Sequence, residues 1–135
     1  MKKVFNILKE IFFVIWGFPQ NLIGLIIFLL LRKKRYYNYK GSLVSVTGGV
    51  DRGAVSLGKF IFIFGNSVSQ QTLRHERGHG LQSDLLGIFY LVVIGIPSIV
   101  WARCFRKYRI KNKVGYDWFY TEKWATYWGD KYYGW

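Results

Sequence analysis

At 135 residues the chain has room for one domain, or for a small domain carrying membrane elements. It is 51% apolar and 20% aromatic, and 20 Lys and Arg against 7 Asp and Glu leave a net charge of +13. This balance points to an anionic membrane surface before nucleic acid, and the single cysteine, Cys104, excludes an intramolecular disulfide and a Cys-rich structural zinc site.

Residues 11–31 carry no charge, and as a helix they would measure about 30 Å, enough to cross a hydrocarbon core. Gly17, Pro19, Gln20 and Asn21 interrupt the run. Proline kinks a helix, and Gln-Asn at bilayer depth needs polar partners. Two readings follow: a kinked span, or a helical hairpin that dips in and returns. Lys2, Lys3 and Lys9 on one side and Arg32 to Arg35 on the other favour the hairpin, because basic flanks stay in the cytoplasm. No small-x-small cleavage site follows, so residues 1–35 are expected to be a retained anchor.

Residues 36–41 read as an interfacial aromatic-basic linker to a second unit, 36–135. Residues 42–47 (SLVSVT) and 54–64 (AVSLGKFIFIF) carry strand signals, with Gly58 as a possible bulge. The Gly48–Gly53 turn is expected to pair them as a β-hairpin. Ser67 or Ser69 can cap the helix that follows.

That helix carries His75-Glu76-Arg77-Gly78-His79, which uses both histidines of the chain and one of its three glutamates. Positions i and i+4 share a helical face, so two imidazoles so placed can grip one zinc ion, with Glu76 beside them to polarise its water. This is the HExxH pattern of zinc metallopeptidases. A surface helix with two incidental histidines is the alternative.

Residues 85–102 form a second apolar run, broken at Gly95-Ile96-Pro97, and a basic tail follows from Arg103 to Lys113. The tail reads as a solvated or lipid-facing patch. Asp117 is placed to cap a last helix ending at Gly129, with Tyr132, Tyr133 and Trp135 as interfacial anchors.

A catalytic zinc site takes three protein ligands and keeps a position for water. With no histidine left, the third ligand should be a carboxylate. Asp84 would sit more than a turn from His79, pointing elsewhere; Asp51 and Asp130 are expected in turns; Glu122 lies on the last helix among aromatics. HERGH followed by Glu122-Lys123-Trp124-Ala125 resembles the gluzincin metallopeptidases, in which a second helix supplies a Glu ligand in an ExxA setting. HERGHGLQSDLLGIFYLVVIGIPS, with SLGKFIF before it and FYTEKWA after, also resembles a group of small bacterial membrane proteins with an HExGH motif, which implies no activity. By matched position, the gluzincin resemblance implies zinc ligands His75, His79 and Glu122, and Glu76 as general base. Thr126 stands where that family has Asp or Asn supporting a histidine ligand, which implies weaker support. Gly78, costly inside a helix, is explained if the Glu122 helix packs closely there.

These expectations constrain the topology. A straight crossing by 85–102 would put His79 and Glu122 about 30 Å apart, whereas zinc ligands lie within about 2 Å of the metal. The segment is therefore expected to return to the side it left. The fold class is α+β: a minimal zincin-like core of β-hairpin, metal helix and glutamate helix, with one or two membrane-embedded or re-entrant segments. The expected function is a membrane-associated Zn2+ metallopeptidase at the cell membrane, its site cytoplasmic, with a peptide or protein substrate and anionic lipids as partners and no nucleic acid. Residues 54–64 would offer the substrate an edge strand, and Tyr116 or Tyr120 would steady the oxyanion. Two rivals stay open: a non-enzymatic membrane protein whose zinc ties two helices together, and a cationic membrane-acting protein without metal.

Overall fold

A computed structural model, describing residues 1–134, shows a mixed α+β chain. Trp135 lies outside the described residues. The N-terminal apolar run forms two helices, α1 (Lys2–Trp16) and α2 (Phe18–Leu30), set at 91° to each other across Gly17. By length and composition a pair bent this sharply fits a broken span or a re-entrant element, the two readings of this run. Pro19 sits in the first turn of α2, where its missing N–H costs nothing, so the break falls just before it. Among the described residues no single helix is long and apolar enough to cross a membrane.

Four strands follow: β1 (Arg35–Tyr39), β2 (Ser42–Val46), β3 (Gly53–Leu57) and β4 (Phe60–Phe64), in the order β1-β2-β4-β3. The expected hairpin between residues 42–47 and 54–64 is not formed, because β2 and β4 pair in parallel. The hairpins lie elsewhere. The linker at 36–41 is mostly strand β1, turning into β2 through Lys40-Gly41, both with positive φ (45° and 87°). Gly58 (φ 61°) is not a bulge but the first residue of a two-residue turn between β3 and β4. Positive φ at both central residues, or at the first alone, gives the turns whose twist matches a right-handed sheet. Two tight turns therefore replaced the single longer one, and residues 47–52 carry β2 across to the far edge.

Helix α3 (Gln70–Leu86) lies on this sheet. Ser69 caps it, its hydroxyl accepting from the Thr72 N–H at 3.0 Å. Leu73 joins Val44, Val46, Ile61 and Ile63 in the core. β4, in the sheet interior, is apolar throughout, as a strand covered on both faces should be.

Beyond α3, Gly87 (φ 55°) turns the chain into a short 3₁₀ turn, a π-helical stretch Leu91–Gly95, and α4 (Ile96–Arg103). Gly95-Ile96-Pro97 does not reverse the chain, since Pro97 is accommodated in the first turn of α4. The turns come later, after Cys104 into α5 (Arg106–Asn112) and at Lys113 (φ 52°). The chain then returns as α6 (Tyr120–Tyr133), antiparallel to α3. Asp117 lies in a 3₁₀ turn before the helix and Phe119 holds the N-cap position. Gly129 is buried inside α6 and does not end it. The Tyr133 ring lies 5.0 Å from the Arg77 guanidinium carbon.

Candidate metal centre

The α3–α6 contact depends on two glycines. A Cβ at Gly78 would run into the Ala125 carbonyl, and one at Gly129 into the Arg74 carbonyl. The absent side chains let the backbones approach, which is the close packing that explains Gly78. The Arg74–Asp130 ion pair at 3.3 Å flanks the contact. Asp130 is thus a helical residue with a partner, not a turn residue.

This approach delivers Glu122 to both histidines. Its Oε2 lies 3.0 Å from His75 Nε2 and 3.1 Å from His79 Nε2. The three ligand atoms lie within 4.8 Å of one another, so His75, His79 and Glu122 form a group that could hold a metal ion. The imidazole planes are nearly perpendicular, at 88°. Of the other carboxylates considered, Asp84 pairs with Lys59 at 3.2 Å and Asp51 accepts from the Gly53 N–H at 3.1 Å. Neither joins the centre.

The opposite ring nitrogens are held as well. His79 Nδ1 lies 2.7 Å from Gln82 Oε1, and the Gln82 amide is oriented by donating from Nε2 to the Thr121 carbonyl at 3.0 Å. An amide oxygen only accepts, so His79 Nδ1 must carry the proton. His75 Nδ1 lies 2.8 Å from the Thr126 hydroxyl, which can accept in the same way. Both rings thus turn Nε2 toward Glu122. A neutral His79 would set a lone pair against a carboxylate oxygen, so the contact is favourable only with a second proton on the ring or a cation between them. Fixing the tautomer through Nδ1 is how proteins orient metal-binding imidazoles.

The electrostatics agree. Burial alone would raise the Glu122 carboxyl, but the hydrogen bonds from His75 and His79 and their charges outweigh it and hold the group well below the usual carboxylate range. Burial would lower the His79 imidazole, yet the hydrogen bond to Glu122 and the charges of Glu76 and Glu122 raise it overall. Glu76, 6% exposed, has a buried Oε2 with no hydrogen-bond partner. Burial raises its carboxyl, His79 and His75 oppose the shift, and Glu122 adds to it. A carboxyl so placed is poised to take up a proton.

Two tyrosines feel this cluster: burial first, then the Glu76 and Glu122 charges, push up the phenol of buried Tyr90, and burial, then the Glu122 and Glu76 charges, push up that of the more exposed Tyr116. Tyr120 is committed elsewhere, donating to the Val93 carbonyl at 2.6 Å. Sequence reasoning missed Gln82, although an i+3 position beside His79 was a readable cue. It also missed Gln20, whose side-chain amide donates to Ser83 Oγ (2.7 Å) and the Gly87 carbonyl (2.8 Å) and docks α2 on the end of α3. No family model, curated protein or solved structure matches the chain.

Proposed function

We propose that the chain is a membrane-associated zinc metallopeptidase of gluzincin-like, zincin-type core, its centre on the cytoplasmic side of the cell membrane. The observation that carries the reading is the convergence of His75 Nε2, His79 Nε2 and Glu122 Oε2, with both Nδ1 atoms anchored and a buried, unpartnered Glu76 alongside. Two imidazoles and one carboxylate make a three-donor set suited to catalytic zinc, since three protein ligands leave a position for water or substrate.

Zinc in such a set supplies Lewis acidity, making a water a better nucleophile and polarising a carbonyl. Glu76 takes the proton from the attacking water and passes it to the leaving amine. Its raised proton affinity suits that shuttle. Tyr116 is preferred to Tyr120 as donor to the developing oxyanion, because its phenol neighbours both glutamates. β3 ends the sheet, and Gly53 at its start lines a recess with Ser69 and Thr72, the latter one turn ahead of Glu76. An extended peptide adding to that edge would run toward the centre. Basic residues flanking both apolar stretches support the cytoplasmic placement.

Two measurements test the reading on full-length protein. Metal analysis should find one zinc per chain, lost in Glu122→Gln together with His79→Ala. Digestion of a peptide library, read by mass spectrometry, should show cleavage by the parent and none by Glu76→Gln with its zinc retained. Cleavage by Glu76→Gln at the parental rate would refute the base; zinc bound without cleavage of any peptide would favour a structural site that ties α3 to α6.

A further inference from the structure

The helix α2 is inside out. Its buried positions are Gln20, Asn21 and Gly24, whereas Leu22, Ile23, Leu25, Ile26, Leu29 and Leu30 are exposed. The inner face is polar by construction: Gln20 is 0% exposed and bonded to Ser83 and Gly87, and Asn21 accepts from the Lys59 N–H at 2.8 Å. In water a helix of this composition would turn round, because every outward leucine or isoleucine is a loss of burial. The medium outside α2 must itself be apolar. The same holds for Leu91–Arg103, which buries Ile94 and Trp101 and exposes Val92, Ile96 and Ile99. No residue of α1 is buried at all.

We infer that α1, α2 and Leu91–Arg103 form one lipid-contact surface, seated in a single leaflet of an anionic bilayer without crossing it. This deepens the membrane part of the function proposed above and is independent of the metal. α2 and Leu91–Arg103 have 13 residues each, about 20 Å, against a hydrocarbon core of about 30 Å. With the 91° bend at Gly17 lying in the plane of the leaflet, α1, with Lys2, Lys3 and Lys9, and α2, followed by Arg32 to Arg35, both run along the boundary between headgroups and acyl chains. Cations stand where each of these helices ends at the interface: Arg32 to Arg35 after α2, and Arg103, Arg106 and Lys107 at the end of the other. A second copy on this face would bring those like charges together, at +13 per chain, whereas anionic headgroups complement them.

The test uses the full chain added to preformed vesicles. Flotation should be about tenfold stronger with about one quarter phosphatidylglycerol than with phosphatidylcholine alone. Ile26→Lys and Val92→Lys should each lower it by about tenfold while zinc content and circular dichroism stay at the parental level. Cys104, the native cysteine, is exposed, and in a Cys104→Ser background Val50→Cys reports on the sheet side. An impermeant maleimide should label both positions fully from outside intact vesicles. Labelling of Cys104 only after the vesicles are opened would overturn single-leaflet seating in favour of a crossing. Flotation unchanged by either lysine, or a lipid-free dimer that Ile26→Lys converts to monomer, would overturn lipid as the occupant. Absence of zinc from the parent protein with flotation intact would count against the metal reading alone and leave this surface standing, and flotation intact in a zinc-free His79→Ala would support its independence.

Discussion

Gln82 shows how much of the centre rests on a residue outside the HExxH pattern. Its Oε1 accepts a hydrogen bond from the His79 Nδ1–H, and its amide is fixed in turn by donating to the Thr121 carbonyl. Gln82→Leu keeps the volume and removes the acceptor, freeing the ring to turn or to change tautomer. Zinc affinity should fall by about 10- to 100-fold, measured by competition with a chelating dye, with the helical signal unchanged. Thr126→Val should act on His75 in the same direction, because its hydroxyl is the partner 2.8 Å from Nδ1. His75, Glu76 and His79 were legible from spacing alone, since a helix makes i and i+4 neighbours. Glu122 was legible only by resemblance and elimination, and Gln82 offered only its i+3 spacing from His79, which places it near the imidazole without saying that its amide will face the ring.

Among the elements, the α3–α6 pair carries the centre, and its spacing is set by Gly78 and Gly129. Gly78→Ala gains helix propensity of about 1 kcal/mol, yet its methyl would meet the Ala125 carbonyl, backbone that cannot step aside. Overpacking of this kind costs about 1–3 kcal/mol, so the net effect should be destabilising, and the separated helices should bind zinc less tightly. Urea unfolding together with metal stoichiometry measures both; an Ala variant more stable than the parent would contradict the close approach. Composition marked β2 and the stretch that holds β3 and β4, but β1 read as a linker, residues 54–64 read as one strand, and the partners were not legible. Lys40-Gly41 and Gly58-Lys59 are short turns that a reading centred on Gly48-Gly49 passed over. The parallel β2–β4 pairing depends on residues far apart in sequence.

For the whole molecule, the consequence of the fold is that three distant segments meet at one helix. α2 docks through Gln20 on Ser83 and Gly87, the sheet packs on Leu73, and α6 brings Glu122. Gln20→Leu leaves Ser83 and the Gly87 carbonyl without that donor. It should cost about 1–3 kcal/mol, measured as a lower unfolding midpoint in detergent micelles. Zinc added at about 100 times its dissociation constant should stabilise the parent by about 2.7 kcal/mol, and this gain should vanish in His79→Ala, as thermal unfolding with and without a chelator can record.

The chain's own residues determined the helical spacing of His75 and His79, the adjacency of Glu76, the uncharged run at 11–31 and the excess of basic charge, because each is a property of near neighbours or of composition. Tertiary structure alone decided that α2 turns its polar stripe inward, that the chain reverses after Arg103 and not at Pro97, and that Gln82 holds the His79 ring. The physical reason is common to all three. Each depends on which distant backbone or side chain arrives to satisfy a buried polar group, and that partner is chosen by the packing of the whole chain. Glu122 belongs to both accounts: its chemistry was readable, and its place between two imidazoles is the work of two glycines that let α3 and α6 touch.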